Sequence, residues 1–241
     1  MARLAIVTGG TRGIGRAISK VLKDDGYMVI ANYTNNHEQA AKFAEETGIK
    51  TMQWDVSDYE ACQQNISDIS KKYNLPVSVL INNAGISRDG MLHKIENEDW
   101  LKVININLTS CFNMCKAVIP AMREQNYGRV VNISSINALS GRVGVTSYSA
   151  AKAGILGLTK ALAKESAAKG ITVNAVAPGY VNTDLLANVS KKVMEEIIDQ
   201  IPVKRLGEPE EVARLVGFLV SPESSFITGE TISINGGHHM Q

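Results

Sequence analysis

The sequence predicts an α/β domain built on a doubly wound, mostly parallel sheet of seven strands, with helices on both faces. Two observations predict it. Short apolar runs rich in Val and Ile alternate with stretches of helical period along the chain, the pattern of buried parallel strands and their crossovers. No repeat, linker or low-complexity segment interrupts the alternation, so residues 1–241 are expected to form a single domain. With 44% apolar and 20% charged residues the chain can bury a substantial core and does not read as disordered.

The elements follow in order. Leu4 to Val7 reads as a buried strand that runs into Thr8-Gly9-Gly10-Thr11-Arg12-Gly13-Ile14-Gly15. Beyond this turn, Ile14, Ile18, Val21 and Leu22 mark one face of a helix that Gly26 closes. Met28 to Tyr33 is the second strand, His37 to Thr47 a helix, and Lys50 to Trp54 the third strand, ending at Asp55-Val56. Ser57-Asp58-Tyr59-Glu60 offers a capping box for the next helix. Val77 to Ile81 is strand four and leads into Asn82-Asn83-Ala84-Gly85. A long helix is expected from about Asn97 to Gln125. Asn105 and Asn107 sit badly inside it, because Asn side chains compete for backbone hydrogen bonds. Either the helix kinks there, or one of the two has a task; Asn105 is read as a solvated or capping side chain. Strand five is Gly128 to Ile133, followed by a loop from Ser134 to Thr146 and a helix that carries Tyr148. Thr172 to Ala177 is strand six, broken by Pro178-Gly179. Residues from about Asp184 to Arg205 make a helical excursion outside the alternation. A last helix starts at Glu208-Pro209, with Pro suited to the first turn, and Thr231 to Ile234 is the last strand.

A net charge of +1 gives no basis for binding nucleic acid or an anionic membrane surface. The longest uncharged run, Tyr73 to Ser87, has 15 residues and contains Pro76, which excludes a helical membrane span. A fold-like pattern begins by Leu4, so no secretory leader is expected. Cys62, Cys111 and Cys115 are odd in number, and the last two lie one helical turn apart, which suits buried thiols better than disulfides or a zinc site. A cytoplasmic protein with no metal site is the expectation. Adjacent His238 and His239 would point apart in an extended tail and are not read as ligands.

The chemistry concentrates around Tyr148-Ser149-Ala150-Ala151-Lys152. On a helix, Tyr148 and Lys152 share a face one turn apart. An ammonium beside a phenol favours loss of the phenolic proton, so the pair can exchange a proton with a carbonyl or alkoxide oxygen. Tyr and Lys also meet at this spacing on many surface helices, so the pair needs support from elsewhere. The glycine turn provides some, because it stands directly between a buried strand and a helix, the context of a Rossmann-type dinucleotide site. Gly9 allows the tight turn, while Gly13 and Gly15 let the backbone approach a pyrophosphate at a positive helix end.

The glycine spacing Gly-x-x-x-Gly-x-Gly, Asn82-Asn83-Ala84-Gly85, Tyr148-x-x-x-Lys152 and Pro178-Gly179, in this order, strongly resemble the short-chain dehydrogenase/reductase family over the whole chain. The resemblance implies that Tyr148 gives a proton to the substrate carbonyl oxygen. Lys152 would hold the nicotinamide ribose, and Ser135, thirteen residues before Tyr148, would hydrogen-bond the substrate oxygen, in preference to Ser134. Asn107 matches the Asn that anchors a water in the proton relay. The turn residues Gly9, Gly10, Thr11, Arg12, Gly13, Ile14 and Gly15 would bind the cofactor phosphates. Asp55 and Val56 would contact adenine, and Asn83, Ala84 and Gly85 would back the adenosine ribose. Pro178, Gly179, Val181 and Thr183 would close over the nicotinamide amide. A homotetramer is implied in the same way.

Cofactor choice can be argued from the residues. NAD sites place an acid at the end of the second strand, on the ribose 2′-hydroxyl. That position is Tyr33, and Ala31 through His37 contains no acid. Arg12 could face a 2′-phosphate as a bidentate donor, so NADP(H) is expected.

Within the family, Ile86-Ser87-Arg88-Asp89-Gly90, Ile201-Pro202-Val203-Lys204-Arg205-Leu206-Gly207 and Asn235-Gly236-Gly237 look like reductases of 3-oxoacyl thioesters. Tyr180, where carrier-protein enzymes tend to have Phe, and the close Gly237-His238-His239-Met240 resemble the acetoacetyl-CoA group. Arg142 and Val145 depart from it, since that group tends to carry Gln there. The expected substrate contacts are Asp89, Ser135, Arg142, Val145, Tyr148 and Tyr180, beneath a lid over residues 184–205. The alternatives are a 3-oxoacyl-(acyl-carrier-protein) reductase, which Lys191-Lys192 and Lys204-Arg205 could serve as a basic face, another alcohol dehydrogenase of this fold, or a non-catalytic binding protein. The intact set Asn107, Ser135, Tyr148 and Lys152 argues against the last.

Overall fold

The computed structural model describes residues 3–183, 186 and 189–240. Its seven strands are β1 (Leu4–Val7), β2 (Met28–Tyr33), β3 (Lys50–Gln53), β4 (Val77–Asn82), β5 (Gly128–Ile133), β6 (Ile171–Pro178) and β7 (Thr231–Ile234). They form one sheet in the order β3-β2-β1-β4-β5-β6-β7. The sheet is wholly parallel rather than mostly so, because every connection between successive strands crosses over through a helix. Strand order reverses between β1 and β4, and this switch point opens a crevice at the carboxyl ends of the strands.

Alternation along β1 shows how both faces are filled. Ala5 and Val7 join one core with Ile18 and Leu22 of α1 (Gly13–Asp24), Phe43 of α2 (His37–Thr47) and Val216 and Leu219 of α8 (Pro209–Val220). Leu4 and Ile6 join the other, with Ile66 and Ile69 of α3 (Tyr59–Tyr73) and Met114, Val118 and Met122 of α5 (Ser110–Glu124). The remaining helices are α4 (Asn97–Ile104), α6 (Thr146–Ser166) and α7 (Lys191–Gln200). The three thiols are buried and unpaired. Desolvation pushes Cys62 up to about 12 and Cys111 up to about 11, so both remain protonated thiols at neutral pH.

Several expectations are corrected. The helix from Asn97 is not continuous: a π turn over Asn105–Thr109 separates α4 from α5. Asn107 is fully buried in that turn, while Asn105 is exposed and its side chain accepts from the Thr109 hydroxyl at 3.4 Å. The cap of α3 is Asp58, whose carboxylate accepts from the Ala61 N–H at 2.9 Å. Ser57 is instead tied to Asp55, so it does not serve as a capping-box residue. The box belongs to α8, where the Glu208 N–H donates to Glu211 at 2.8 Å. Trp54 falls outside β3, and Ile171 and Pro178 extend β6 by one residue at each end. The tail is not extended, because the Asn235 side chain accepts from the Gly237 N–H at 3.0 Å and donates to the His239 carbonyl at 2.9 Å, closing a turn. Of the expected lid, Asp184, Leu185, Ala187 and Asn188 lie outside the described residues; the described part holds α7, capped by Ser190.

Candidate active site

The site forms where β1, β4, β5 and β6 end. After β1, Gly9 takes a left-handed φ of +60° and Gly13 one of +50°. The turn is held from two sides. Asn32, inside β2, accepts from the Gly9 N–H through its side chain at 3.3 Å and from the Gly10 N–H through its carbonyl at 2.9 Å. Thr8 ties β1 to the segment after β4: its hydroxyl accepts from Asn83 N–H at 2.9 Å and Ala84 N–H at 3.0 Å. The Asn83 amide returns to the Thr8 and Gly9 carbonyls, at 2.9 and 3.2 Å.

Gly15 has a different reason from the one expected. A Cβ there would lie 2.2 Å from the Gly9 carbonyl oxygen and 2.5 Å from the Asn83 amide, so the turn itself demands glycine. Gly13 is the open position: its Cβ would meet only Thr183, at 3.5 Å, which brings the segment after β6 over the turn. The first turn of α1 carries no acid, and Arg12 at its N-cap makes no side-chain cap. The leading N–H groups of α1 therefore face the crevice as an uncapped positive end, and a pyrophosphate fits this cradle. Thr11 is buried, whereas Arg12 is exposed and has no ion pair among the described residues. Tyr33, at the end of β2, meets His37 edge-on, its hydroxyl 3.2 Å from Nδ1.

At the other edge of the nucleotide crevice, the Asp55 carboxylate is engaged by the Ser57 N–H and hydroxyl at 2.8 and 2.7 Å. The Val56 side chain is in the core, and its carbonyl accepts from the Asn113 amide at 3.1 Å and from the Cys62 thiol at 3.4 Å.

The second half of the site centres on Lys152, 3% exposed. Its Nζ donates to the Ile133 carbonyl at 2.7 Å and sits 5.6 Å from the centre of the Tyr148 ring. The other two ammonium protons have no acceptor among the described residues. Gly85 brings in the π turn: a Cβ there would be 2.6 Å from Asn107 Oδ1 and 3.5 Å from Lys152 Nζ. Asn107 clasps Ile86, accepting from its N–H at 3.2 Å and donating to its carbonyl at 2.9 Å, and also donates to Val103 at 2.8 Å. The two serines divide their work. Ser134 spends its hydroxyl on the Lys152 carbonyl at 2.9 Å, fixing α6 to β5. Ser135 accepts from the Asn137 N–H at 3.1 Å and so keeps its own proton to donate.

The residues expected around the substrate are less closely gathered. Tyr180 stacks on His238 with ring centres 5.8 Å apart, and the Arg142 guanidinium lies 5.8 Å from the Tyr180 ring. Val145 is 3% exposed and pairs with Gly90, so its side chain is enclosed. Asp89 accepts from the Ser87 hydroxyl and lines a separate cleft with Arg88 and Lys94. Val181 packs into the core and pairs with Gly207, and Gly179 lies against Asn235.

Thr8 and Asn32 position the site and were not among the expected residues, and Ser134, weighed only as the alternative to Ser135, positions it too. A lone Asn in an apolar strand is the signal for Asn32, since a buried amide needs partners. No local pattern marks Thr8.

A family model described as enoyl-(acyl carrier protein) reductase matches residues 9–239. The chain belongs to the short-chain dehydrogenase/reductase family. Such family members are oxidoreductases acting on CH–OH or C=O groups, and this chain is one of them. It is 56% identical to an acetoacetyl-CoA reductase from Rhizobium meliloti over 99% of both chains. It is also 56% identical to an acetoacetyl-CoA reductase from Shinella zoogloeoides, over 98% of both. A 3-oxoacyl-(acyl-carrier-protein) reductase from Vibrio harveyi is 40% identical over 99% of this chain and 98% of its own. Among the described residues, no helix of this family member is long and apolar enough to cross a membrane.

Proposed function

We propose that this protein is an NADPH-dependent reductase of 3-oxoacyl thioesters, acting on acetoacetyl-CoA to give the 3-hydroxybutyryl thioester. The observation that carries the reaction is the buried Lys152 ammonium, beside the Tyr148 ring and close to Asn107 at Gly85, with Ser135 two residues beyond the Ile133 carbonyl that anchors it. The substrate class is supported by the likeness to proteins named acetoacetyl-CoA reductase, at 56% identity over nearly the full chain.

When bound in the crevice, the nicotinamide supplies a hydride for C3 of the substrate. Tyr148 donates its hydroxyl proton to the C3 oxygen as charge develops there, and Ser135 donates a hydrogen bond to the same oxygen. Lys152 uses its free protons on the ribose, beside Tyr148. Asn107 holds the Gly85-Ile86 backbone in place behind Lys152, and its turn anchors the water that returns a proton to the relay. Turn residues 9–15 take the pyrophosphate, Asp55, Val56, Asn83 and Ala84 line the adenosine side, and Pro178, Gly179, Val181 and Thr183 close the nicotinamide side. Residues 184–205 act as the lid. Exposed Phe218 and Phe226, the latter leading into edge strand β7, are apolar surface that further copies would cover in a homotetramer, which we place in the cytoplasm.

NADPH is the expected cofactor because no acid stands at the end of β2 and Arg12 is free to meet a 2′-phosphate. Tyr33→Asp puts a carboxylate against that phosphate and should lower kcat/KM with NADPH by about tenfold or more, narrowing or reversing the preference over NADH. Steady-state rates with both cofactors check this; a wild type that prefers NADH would refute the assignment.

A four-carbon acyl group offers little apolar surface, at about 0.8 kcal/mol per buried methylene, so polar contacts from Tyr180 should outweigh pocket depth. Acetoacetyl-CoA should therefore be turned over efficiently without a carrier protein, with activity falling as the 3-oxoacyl chain lengthens. A side-by-side assay with acetoacetyl-CoA and acetoacetyl-carrier protein tests this. Clear preference for the carrier-bound substrate, or for chains of about eight carbons and more, would assign the protein to fatty-acid synthesis.

A further inference from the structure

The C-terminal turn reaches the substrate side of the site, and its contacts single out His238. The Tyr180 backbone is fixed on both sides: the neighbouring Gly179 N–H donates to Ile234 at 2.9 Å, and the Tyr180 carbonyl accepts from Gly207 at 2.9 Å. Its ring is held differently. The Tyr180 hydroxyl has no hydrogen-bond partner among the described residues, and the ring lies nearly parallel to the His238 imidazole, at 19° and 5.8 Å. His238 is itself placed by the backbone, its N–H donating to the Asn235 carbonyl at 3.1 Å. The His238 Nδ1 is enclosed and has no partner among the described residues, so the imidazole is fixed by the turn and the stack. The turn is locked in turn against the end of the lid. Gly236 and Gly237 have φ of +62° and +82°, and a Cβ on Gly236 would meet Val203 at 2.6 Å. Val203 donates its N–H to the Gly236 carbonyl at 3.2 Å.

We propose that His238 is a positioning residue for acyl recognition: its imidazole holds the Tyr180 ring so that the phenol hydroxyl faces the thioester. This rests on the reading of Tyr180 as a substrate contact. The stack fixes a side chain with two rotatable torsions, whose hydroxyl has no partner among the described residues, and it couples acyl specificity to the turn packed against the lid's end. Among the described residues no hydrogen bond or ring contact joins His238 to the proton-transfer residues, so it acts on binding of the acyl thioester and not on the chemical step.

The test is a mutant cycle on the full-length protein, reading KM for acetoacetyl-CoA, kcat and the Kd for NADPH. His238→Ala should raise KM about three- to tenfold, the range expected for an aromatic stack, with kcat and NADPH affinity within about twofold of wild type. His238→Phe keeps a flat face and should restore the wild-type KM. In a Tyr180→Ala background, His238→Ala should add nothing, because its effect passes through the ring. Should His238→Ala fail to fold, His238→Asn removes the aromatic face, keeps the turn polar and carries the same expectation. Tyr180→Ala leaving KM unchanged would overturn the role of Tyr180 and this inference with it. Tyr180→Ala raising KM while His238→Ala does not, or equal effects of His238→Ala in both backgrounds, would overturn the inference alone.

Discussion

Replacing Tyr148 by Phe is expected to lower kcat by about 10² or more while leaving the fold and NADPH binding intact. The substitution removes one oxygen. The ring keeps its place beside Lys152, whose ammonium remains anchored on the Ile133 carbonyl at 2.7 Å, so the floor of the site does not collapse. What disappears is the proton donor. Ser135 still supplies a hydrogen bond to the substrate oxygen, but a serine hydroxyl is too weak an acid to deliver its proton at neutral pH, and residual turnover draws on water. Comparing kcat, the Kd for NADPH and the melting temperature with wild type separates the chemical step from binding and stability. A folded variant with near-wild-type turnover would remove Tyr148 from the mechanism.

Gly15→Ala carries the next largest effect, through geometry rather than chemistry. The added methyl would sit 2.2 Å from the Gly9 carbonyl oxygen and 2.5 Å from the Asn83 amide, and neither is the free end of a flexible side chain. The carbonyl belongs to the turn backbone, and the amide is bound to the Thr8 and Gly9 carbonyls. Relief requires α1 to move off the turn, which should cost about 1–3 kcal/mol of stability and misplace the leading N–H groups of α1. If, as proposed, those N–H groups hold the pyrophosphate, NADPH affinity should fall by about tenfold or more. Gly157→Ala in α6 is the control, because no atom lies within 4 Å of its new methyl. It should be neutral or stabilising by up to about 1 kcal/mol, as alanine is the better helix former. Thermal unfolding and cofactor titration of both variants check this; equal behaviour would show that the turn tolerates the methyl.

Most strands were legible in the sequence as short runs rich in Val and Ile bounded by turn residues; β3, Lys-Thr-Met-Gln with exposed ends, was legible only by its place in the alternation. The errors sit at element ends, where a single hydrogen bond decides. Ser57 and Asp58 are equally good caps on paper, and only the Asp55 carboxylate's claim on Ser57 leaves the role to Asp58. Asn105 and Asn107 stood out alike as poor residues for a helix interior, and only the resemblance singled out Asn107, which satisfies its buried amide by clasping Ile86 across the π turn. Thr8 could not be read locally. Its hydroxyl serves N–H groups 75 and 76 residues away, a pairing that exists only once β1 and β4 lie side by side. Gly15 was legible as a required glycine but not for its reason, since the atom it avoids is another part of the same turn. His238 was hidden for a related cause: in an extended tail it would touch nothing, and the Asn235 turn brings it onto Tyr180.

The central claim is that the site formed by the glycine turn, Tyr148 and Lys152 reduces a 3-oxoacyl thioester at the expense of NADPH. The most direct test is the stoichiometry of the purified protein's reaction with acetoacetyl-CoA and NADPH, measuring nicotinamide oxidised and 3-hydroxybutyryl-CoA formed in the same sample. The account predicts equimolar amounts, formed without any carrier protein. A folded protein that binds NADPH yet forms no 3-hydroxyacyl product from acetoacetyl-CoA or from longer 3-oxoacyl thioesters, free or carrier-bound, would contradict it.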